Sequence, residues 1–107
     1  MSTTSYEQFL ATLAEAAPPP DLEPALRALW YDANGRADSA LRAAMNDPGH
    51  LGLRVCAYLH RKAGRAEEAR LWYFRSGAAP WQGSPESEWQ DIVHTVLTER
   101  VVRDAYI

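Results

Sequence analysis

The sequence has one cysteine, no long apolar run and no motif typical of a catalytic or cofactor-binding loop. Cys56 alone cannot form an internal disulfide, and no stretch approaches the roughly 18 consecutive apolar residues of a membrane-spanning helix. The N-terminus lacks the basic start and apolar run of a signal peptide. We find no glycine-rich phosphate loop, zinc signature or nucleophile motif. We therefore expect a cytoplasmic protein with no membrane segment, metal or cofactor.

Composition predicts one folded domain. The chain has 107 residues, 47% of them apolar, which suits a single compact unit with a real core. The net charge of −3 argues against a nucleic-acid partner. Residues 25–75 carry nine bases and five acids, whereas both ends are acidic. This pattern fits an anionic partner of the middle segment, or packing of the acidic ends against it.

Helical periodicity and turn residues divide the whole chain. Apolar residues recur every three or four positions from residue 5 to residue 16, and three prolines at 18–20 end that segment. Asn34-Gly35 and Asn46-Asp47-Pro48-Gly49 are strong turn signals. Ser84-Pro85 is a typical helix start, with a hydroxyl cap before a proline. The pattern predicts about five to six helices, with segments at 5–16, 22–33, 37–46, 50–63, 66–76 and from 85 towards 107.

Two of these helices have unusual apolar patterns. The helix at 50–63 is apolar over most of its circumference, which leaves Arg54 and Arg61 on a polar stripe and predicts a central position in a bundle. The helix at 66–76 has two apolar sides, one of them formed by Leu71 and Phe74. We expect that helix to contact neighbours on both sides.

An internal repeat joins the middle helices. Residues 35–40 (GRADSA) match residues 64–69 (GRAEEA), with a spacing of 29 residues. Each glycine would make a tight turn, and the alanines Ala40 and Ala69 would let two antiparallel helices approach closely. This is the pattern of a helical-hairpin solenoid unit. Two such units bury little surface alone, so the terminal helices would act as caps.

The second unit resembles the tetratricopeptide repeat (TPR), which has a glycine at the turn, an alanine five residues later and an aromatic four after that. Gly64, Ala69 and Tyr73 fit this pattern, whereas the first unit carries Ala44 in place of the aromatic. The resemblance implies an all-α, TPR-like fold of antiparallel hairpins with capping terminal helices. The single domain 1–107 would comprise an N-terminal helix and proline break (1–20), two hairpins (22–76) and a C-terminal helix (84–107).

A narrower resemblance covers residues 25–97. Residues 57–64 read AYLHRKAG and residues 72–77 read WYFRSG. These segments resemble a family of short microbial proteins of unknown function that carry AYLHRK-x-G followed by W-Y-x-R-x-G. Cys56 stands where that family often has a histidine, and Ala63 where it often has an acid. The resemblance implies no particular activity.

Several residue pairs could carry chemistry, each with a structural alternative. Cys56 and His60 lie four apart on one helix face, but two ligands are too few for a metal, so we expect a buried cysteine beside a hydrogen-bonded histidine. Asp32 and His60 could meet if the hairpins stack, as a buried network or as an acid–base pair. The run His60-Arg61-Lys62 could bind phosphate or carboxylate, or form a solvated face with local ion pairs.

These observations favour a non-catalytic, TPR-like module that binds a protein or peptide partner along a helical groove, or pairs with itself as a homodimer. The alternative is a small-ligand or enzymatic pocket near Asp32, His60 and Tyr73. Trp81, in a loop after Pro80, could anchor an interface or plug the end of the bundle. The candidate binding residues are Tyr31, Asp32, His60, Arg61, Trp72, Tyr73, Arg75 and Trp81.

Overall fold

A computed structural model describes residues 5–105, and within that range the chain is helical with no strand, which confirms the predicted all-α class. Residues 1–4 and 106–107, which belong to the predicted N-terminal segment and C-terminal helix, lie outside the described residues. The six helices are α1 (Tyr6–Thr12), α2 (Pro24–Ala33), α3 (Ala37–Met45), α4 (His50–Lys62), α5 (Ala66–Ser76) and α6 (Pro85–Ala105).

The repeated sequence forms two identical turns. After α2, Gly35 has a φ of +75°, its amide donates to the Asp32 carbonyl, and the Arg36 amide donates to the Tyr31 carbonyl. This pair of bonds around a left-handed residue is a Schellman motif, which glycine adopts without a Cβ penalty. The same two bonds recur after α4 around Gly64, whose φ is +83°. Each turn folds the next helix back, which produces the hairpins α2–α3 and α4–α5.

Helix α4 occupies the centre of the bundle, as its apolar circumference predicted. It packs against α2, α3, α5 and α6. Helix α6 lies against both α2 and α4, and α1 packs on α6. Ser84 begins α6 as expected, because its hydroxyl accepts a hydrogen bond from the Ser87 amide at 3.1 Å. The largest core side chains join all these layers: Phe9, Leu26, Leu29, Trp30, Tyr58 and Ile92.

Helix α1 is shorter than the predicted 5–16. A capping box between Ser5 and Gln8 begins it, and it ends at Thr12, whose carbonyl accepts a hydrogen bond from Trp30 Nε1 at 3.0 Å. Residues 14–17 are exposed, so they gain no apolar burial that would hold a further helical turn in place.

Helix α5 has neighbours on one side only, so the prediction of contacts on both sides is wrong. Its inner face buries Ala69 and Tyr73 against α4 and the loop that follows. On the opposite face, Leu71 is 65% exposed and Phe74 is 84% exposed. Because α6 turns onto α2 and α4, nothing in the described part of the chain covers this second apolar face.

Candidate functional site

Two acidic side chains are buried within the described part of the chain. Glu88, in the first turns of α6, has no exposed surface, and Asp32, in the last turn of α2, is 8% exposed. Burying a carboxylate is unfavourable unless cations and hydrogen-bond donors compensate for the lost water. Each of these acids has a tyrosine and a cation beside it, so we describe them as the Asp32 cluster and the Glu88 cluster.

The Asp32 cluster joins α2 to α4. Tyr58 Oη donates to Asp32 Oδ2 at 2.6 Å, and Lys62 Nζ lies 3.0 Å from Asp32 Oδ1. Tyr58 and Lys62 are one turn apart on α4, so their side chains leave the same face of the helix. Burial, together with the hydrogen bond to Asp32, raises the pKa of Tyr58 above its ordinary value of 10.0. The phenol therefore stays protonated and continues to donate.

The Glu88 cluster joins α6 to α4 and α5. Tyr73 Oη donates to Glu88 Oε2 at 2.5 Å, and Arg61 Nη1 lies 3.3 Å from Glu88 Oε1. Arg61 also donates to the carbonyl of Gly83 in the loop before α6. Burial raises the pKa of Glu88 above 4.5, while the hydrogen bond from Tyr73 and the charges of Arg54 and Arg61 act against that rise. Removing any of these partners would therefore leave the carboxylate poorly compensated.

The polar stripe of α4 faces α6 rather than solvent. Arg54 Nη2 lies 2.7 Å from Asp91 Oδ2, one turn along α6 from Glu88, which pairs with Arg61. Arg61 and Lys62 remain partly solvated, with side chains 30% and 43% exposed, but each forms an ion pair with a buried acid of another helix. Arg61 holds the buried Glu88, and Lys62 holds the buried Asp32.

Trp81 fills the end of the bundle between α5 and α6. Its Nε1 donates to Ser87 Oγ at 3.1 Å, and the Arg54 guanidinium lies 5.7 Å from the ring centre. Trp81 also packs against the small cluster that Ala57, Ala69 and Tyr73 form. A Cβ atom at Gly83 would come within 2.7 Å of Ser87 Oγ and 2.8 Å of Trp81 Nε1, so a larger residue there would displace this pair of side chains. Of the two interpretations of Trp81, its contacts favour the plug.

A stack that we call the surface stack consists of the partly buried His60 of α4 and Trp72 of α5, together with the exposed Arg75 of α5. The rings of His60 and Trp72 are parallel with centres 6.0 Å apart, and the Arg75 guanidinium sits 4.6 Å from the Trp72 ring centre. Arg65 Nε donates to His60 Nδ1 at 2.9 Å, which places the ring proton on Nε2. Burial, and then the charge of Arg65, lower the pKa of His60 below 6.5. His60 is therefore neutral at pH 7.

The structure distributes the eight predicted binding residues over separate places instead of one pocket. These places are the Asp32 cluster, the Glu88 cluster with Arg61, Tyr73 and Trp81, the surface stack of His60, Trp72 and Arg75, and Tyr31, whose ring lies edge-on to Trp30. Asp32 pairs with Tyr58 and Lys62, not with His60. An acid–base pair of Asp32 and His60 is therefore not formed.

Sequence reasoning missed Tyr58, Lys62 and Glu88 as members of these clusters. Tyr58 and Lys62 gave a signal, because a donor and a cation spaced by four residues share a helix face. Glu88 gave none, since an acid near the start of a helix is typical of a solvated residue that complements the helix dipole. Only the packing of α6 on α4 shows that it is buried.

No protein-family model, curated protein or solved structure matches this chain. Among the helices of residues 5–105, none combines the length and apolarity needed to cross a membrane. The side chains that the structure describes include no group of three that could ligate a metal. Cys56 is buried in the core, and its burial raises the pKa of the thiol to about 11, so the thiol is protonated at pH 7.

Proposed function

We propose that this chain is a non-catalytic, TPR-like interaction module that binds an amphipathic helix of a partner protein on the outer face of α5. The exposure of Leu71 and Phe74 carries the proposal. They lie three residues apart, so they form one apolar spot on the helix surface. With Glu67 and Arg70 they line a shallow cleft of about 450 Å³, which we call the α5 surface.

Such exposure is unusual for large apolar side chains in a helix that buries its other face. Fully burying a phenylalanine or leucine contributes roughly 1.5–3 kcal/mol each. This chain leaves that contribution unused, and clustered exposed apolar residues often mark a protein-binding site. Glu67 and Arg70 beside the spot would supply opposite charges for the polar rim of an interface.

The groove between the hairpins is a poorer site for a partner. Helix α6 packs on both α2 and α4 and is held there by Trp89 Nε1, which donates to the Leu29 carbonyl at 3.0 Å, and by the Glu88 cluster. A peptide could enter that groove only by displacing α6. The sequence favoured a partner in the groove, and we propose the outer face of α5 instead.

The size of the spot favours a single helix over a second copy of the chain. Two side chains of this kind bring on the order of 300 Å² of apolar surface to an interface, whereas a standard interface needs about 800 Å² per partner. A helix with two or three apolar anchors matches the smaller area. The net charge of −3 and the buried free cysteine support a protein partner in the cytoplasm, not a nucleic acid.

Peptide display tests the proposal directly. We expect the immobilised chain to select, from a random library, peptides with apolar residues at i, i+3 and i+4. Binding of a selected peptide, followed by fluorescence anisotropy, should weaken at least about tenfold for Phe74→Glu, because a desolvated anchor is worth 1–2 kcal/mol or more.

Met45→Glu is the matched control. Met45 is 60% exposed on α3, so the same change of charge occurs at an exposed apolar site away from α5. It should leave binding unchanged. Selection of no peptide, or of peptides that bind the Phe74→Glu variant equally well, would contradict the proposal. A dimer in light scattering that Phe74→Glu dissolves would replace the partner helix with a second copy of the chain.

A further inference from the structure

The groove between α2 and α3 forms a second cleft, of about 360 Å³, at the opposite hairpin from the α5 surface. Its polar lining consists of two arginines, Arg27 and Arg42, with the neutral side chains of Tyr31, Ser39 and Asn46. No carboxylate is among these lining residues. The cleft is therefore positively charged, in a protein whose net charge is −3.

Backbone carbonyls hold Arg27 in place, and it forms no ion pair with a carboxylate whose side chain the structure describes. Its Nη2 donates to the carbonyls of Pro20 at 3.0 Å and Leu22 at 3.1 Å, and the side chain is partly buried. Carbonyl groups fix the orientation of a guanidinium, but they carry no net charge to cancel its own. An oriented guanidinium with further donors loses little entropy when it binds an anion.

Arg42 supplies the second charge from the last turn of α3. It is exposed and forms no ion pair with any carboxylate whose side chain the structure describes. Asp38, one turn before Arg42 on α3, and Asp47 form no ion pair with it. Asp38 lines the neighbouring cleft together with Lys62, and Asp47 accepts a hydrogen bond from the Gly49 amide.

We propose that the α2–α3 cleft binds a small organic anion that carries a carboxylate or phosphate group. Arg27 and Arg42 hold the anionic group, the Ser39 hydroxyl and Asn46 amide donate to it, and the Tyr31 ring packs on the remainder of the molecule. Guanidinium groups match the geometry of both anions. The volume lies near the lower end of the roughly 300–1,000 Å³ of small-molecule sites, so the ligand is of metabolite size.

An NMR titration with three probes tests this site: inorganic phosphate, phenyl phosphate and benzoate. At about 0.15 M salt, where charges are screened beyond about 8 Å, we expect saturable amide shifts confined to residues 37–46 and the facing turns of α2. Tighter binding of phenyl phosphate than of benzoate would assign a phosphate ester, and the reverse order a carboxylate. Tighter binding of phenyl phosphate than of inorganic phosphate would support the contact with Tyr31.

Arg42→Met should weaken the tightest probe at least about tenfold. Arg36→Met, a matched change at an exposed arginine of the same hairpin that does not line the cleft, should have no effect. Ser39→Ala is a second, milder variant with an intermediate loss expected. Shifts that do not saturate, that spread over all arginines, or that are the same in Arg42→Met would overturn the site. Success or failure of this test leaves the proposed partner binding on the α5 surface untouched, because the two sites share no lining residue.

Discussion

Arg61→Met is expected to destabilise the fold at neutral pH, because it leaves the buried Glu88 carboxylate without its nearest cation. Breaking a buried ion pair from one side costs about 3–5 kcal/mol. Arg61 is 30% exposed in its side chain, and Tyr73 continues to donate, so we expect about 2–3 kcal/mol after allowing for solvent screening. A domain of this size is stable by on the order of 5–15 kcal/mol, so the loss is a large fraction of the total.

The loss should shrink as the pH falls. Burial raises the folded pKa of Glu88 above the 4.5 of an exposed glutamate, so the ionised form costs stability above the folded pKa. That cost is relieved as the pH falls through the folded pKa towards 4.5. Arg61 is one of the charges that lower this pKa, so its removal raises the pKa further. The variant should therefore recover more stability than the parent on acidification.

Urea unfolding followed by tryptophan fluorescence at pH 7 and pH 5 measures both effects. Arg70→Met, at an exposed position of α5, is the control and should change stability by less than about 0.5 kcal/mol. The role assigned to Glu88 would be refuted if Arg61→Met matched the control. A loss of the same size at both pH values would mean that Arg61 acts through packing and not through the charge of Glu88.

Three further predictions concern the fold. Tyr58→Phe removes a donor to the buried Asp32 and should lower stability by about 1–2 kcal/mol in urea unfolding; an unchanged midpoint would mean that water replaces the phenol. Gly64→Ala should cost about 1–2 kcal/mol, measured in the same way, because φ is +83° although no atom obstructs a Cβ; a neutral result would show that the turn relaxes. Cys56 should react slowly with a disulfide reagent at pH 7.5 and quickly in urea, and fast labelling of the folded chain would contradict its burial.

Local features of the fold could be predicted from sequence, because their causes are local. Glycine at residues 35 and 64, followed each time by Arg-Ala, indicated two equal turns, and the backbone bonds around them are the same. The central position of α4 followed from its apolar circumference. The end of α1 was predicted too late, because helix propensity alone could not show that residues 14–17 find no core to pack on.

The clusters depend on how helices rotate against one another, which periodicity does not determine. Asp32 does lie near the end of α4, but its partners there are Tyr58 and Lys62. Each is two residues from His60, and at roughly 100° per residue His60 therefore points to a different side of the helix. The burial of Glu88 needed the path of α6 over α4, a contact between residues 27 apart in sequence. The exposure of Phe74 has the same origin, since α6 could instead have covered α5.

The path of α6 also decides how the molecule behaves as a unit. In an open solenoid, each repeat touches only its neighbours, so repeats can be added, removed or unfolded one at a time. Here one helix contacts α1, α2 and α4 together, so neither hairpin can open without losing its contact with α6. The two repeats therefore cannot unfold independently, and we expect the chain to fold and unfold in a single cooperative step.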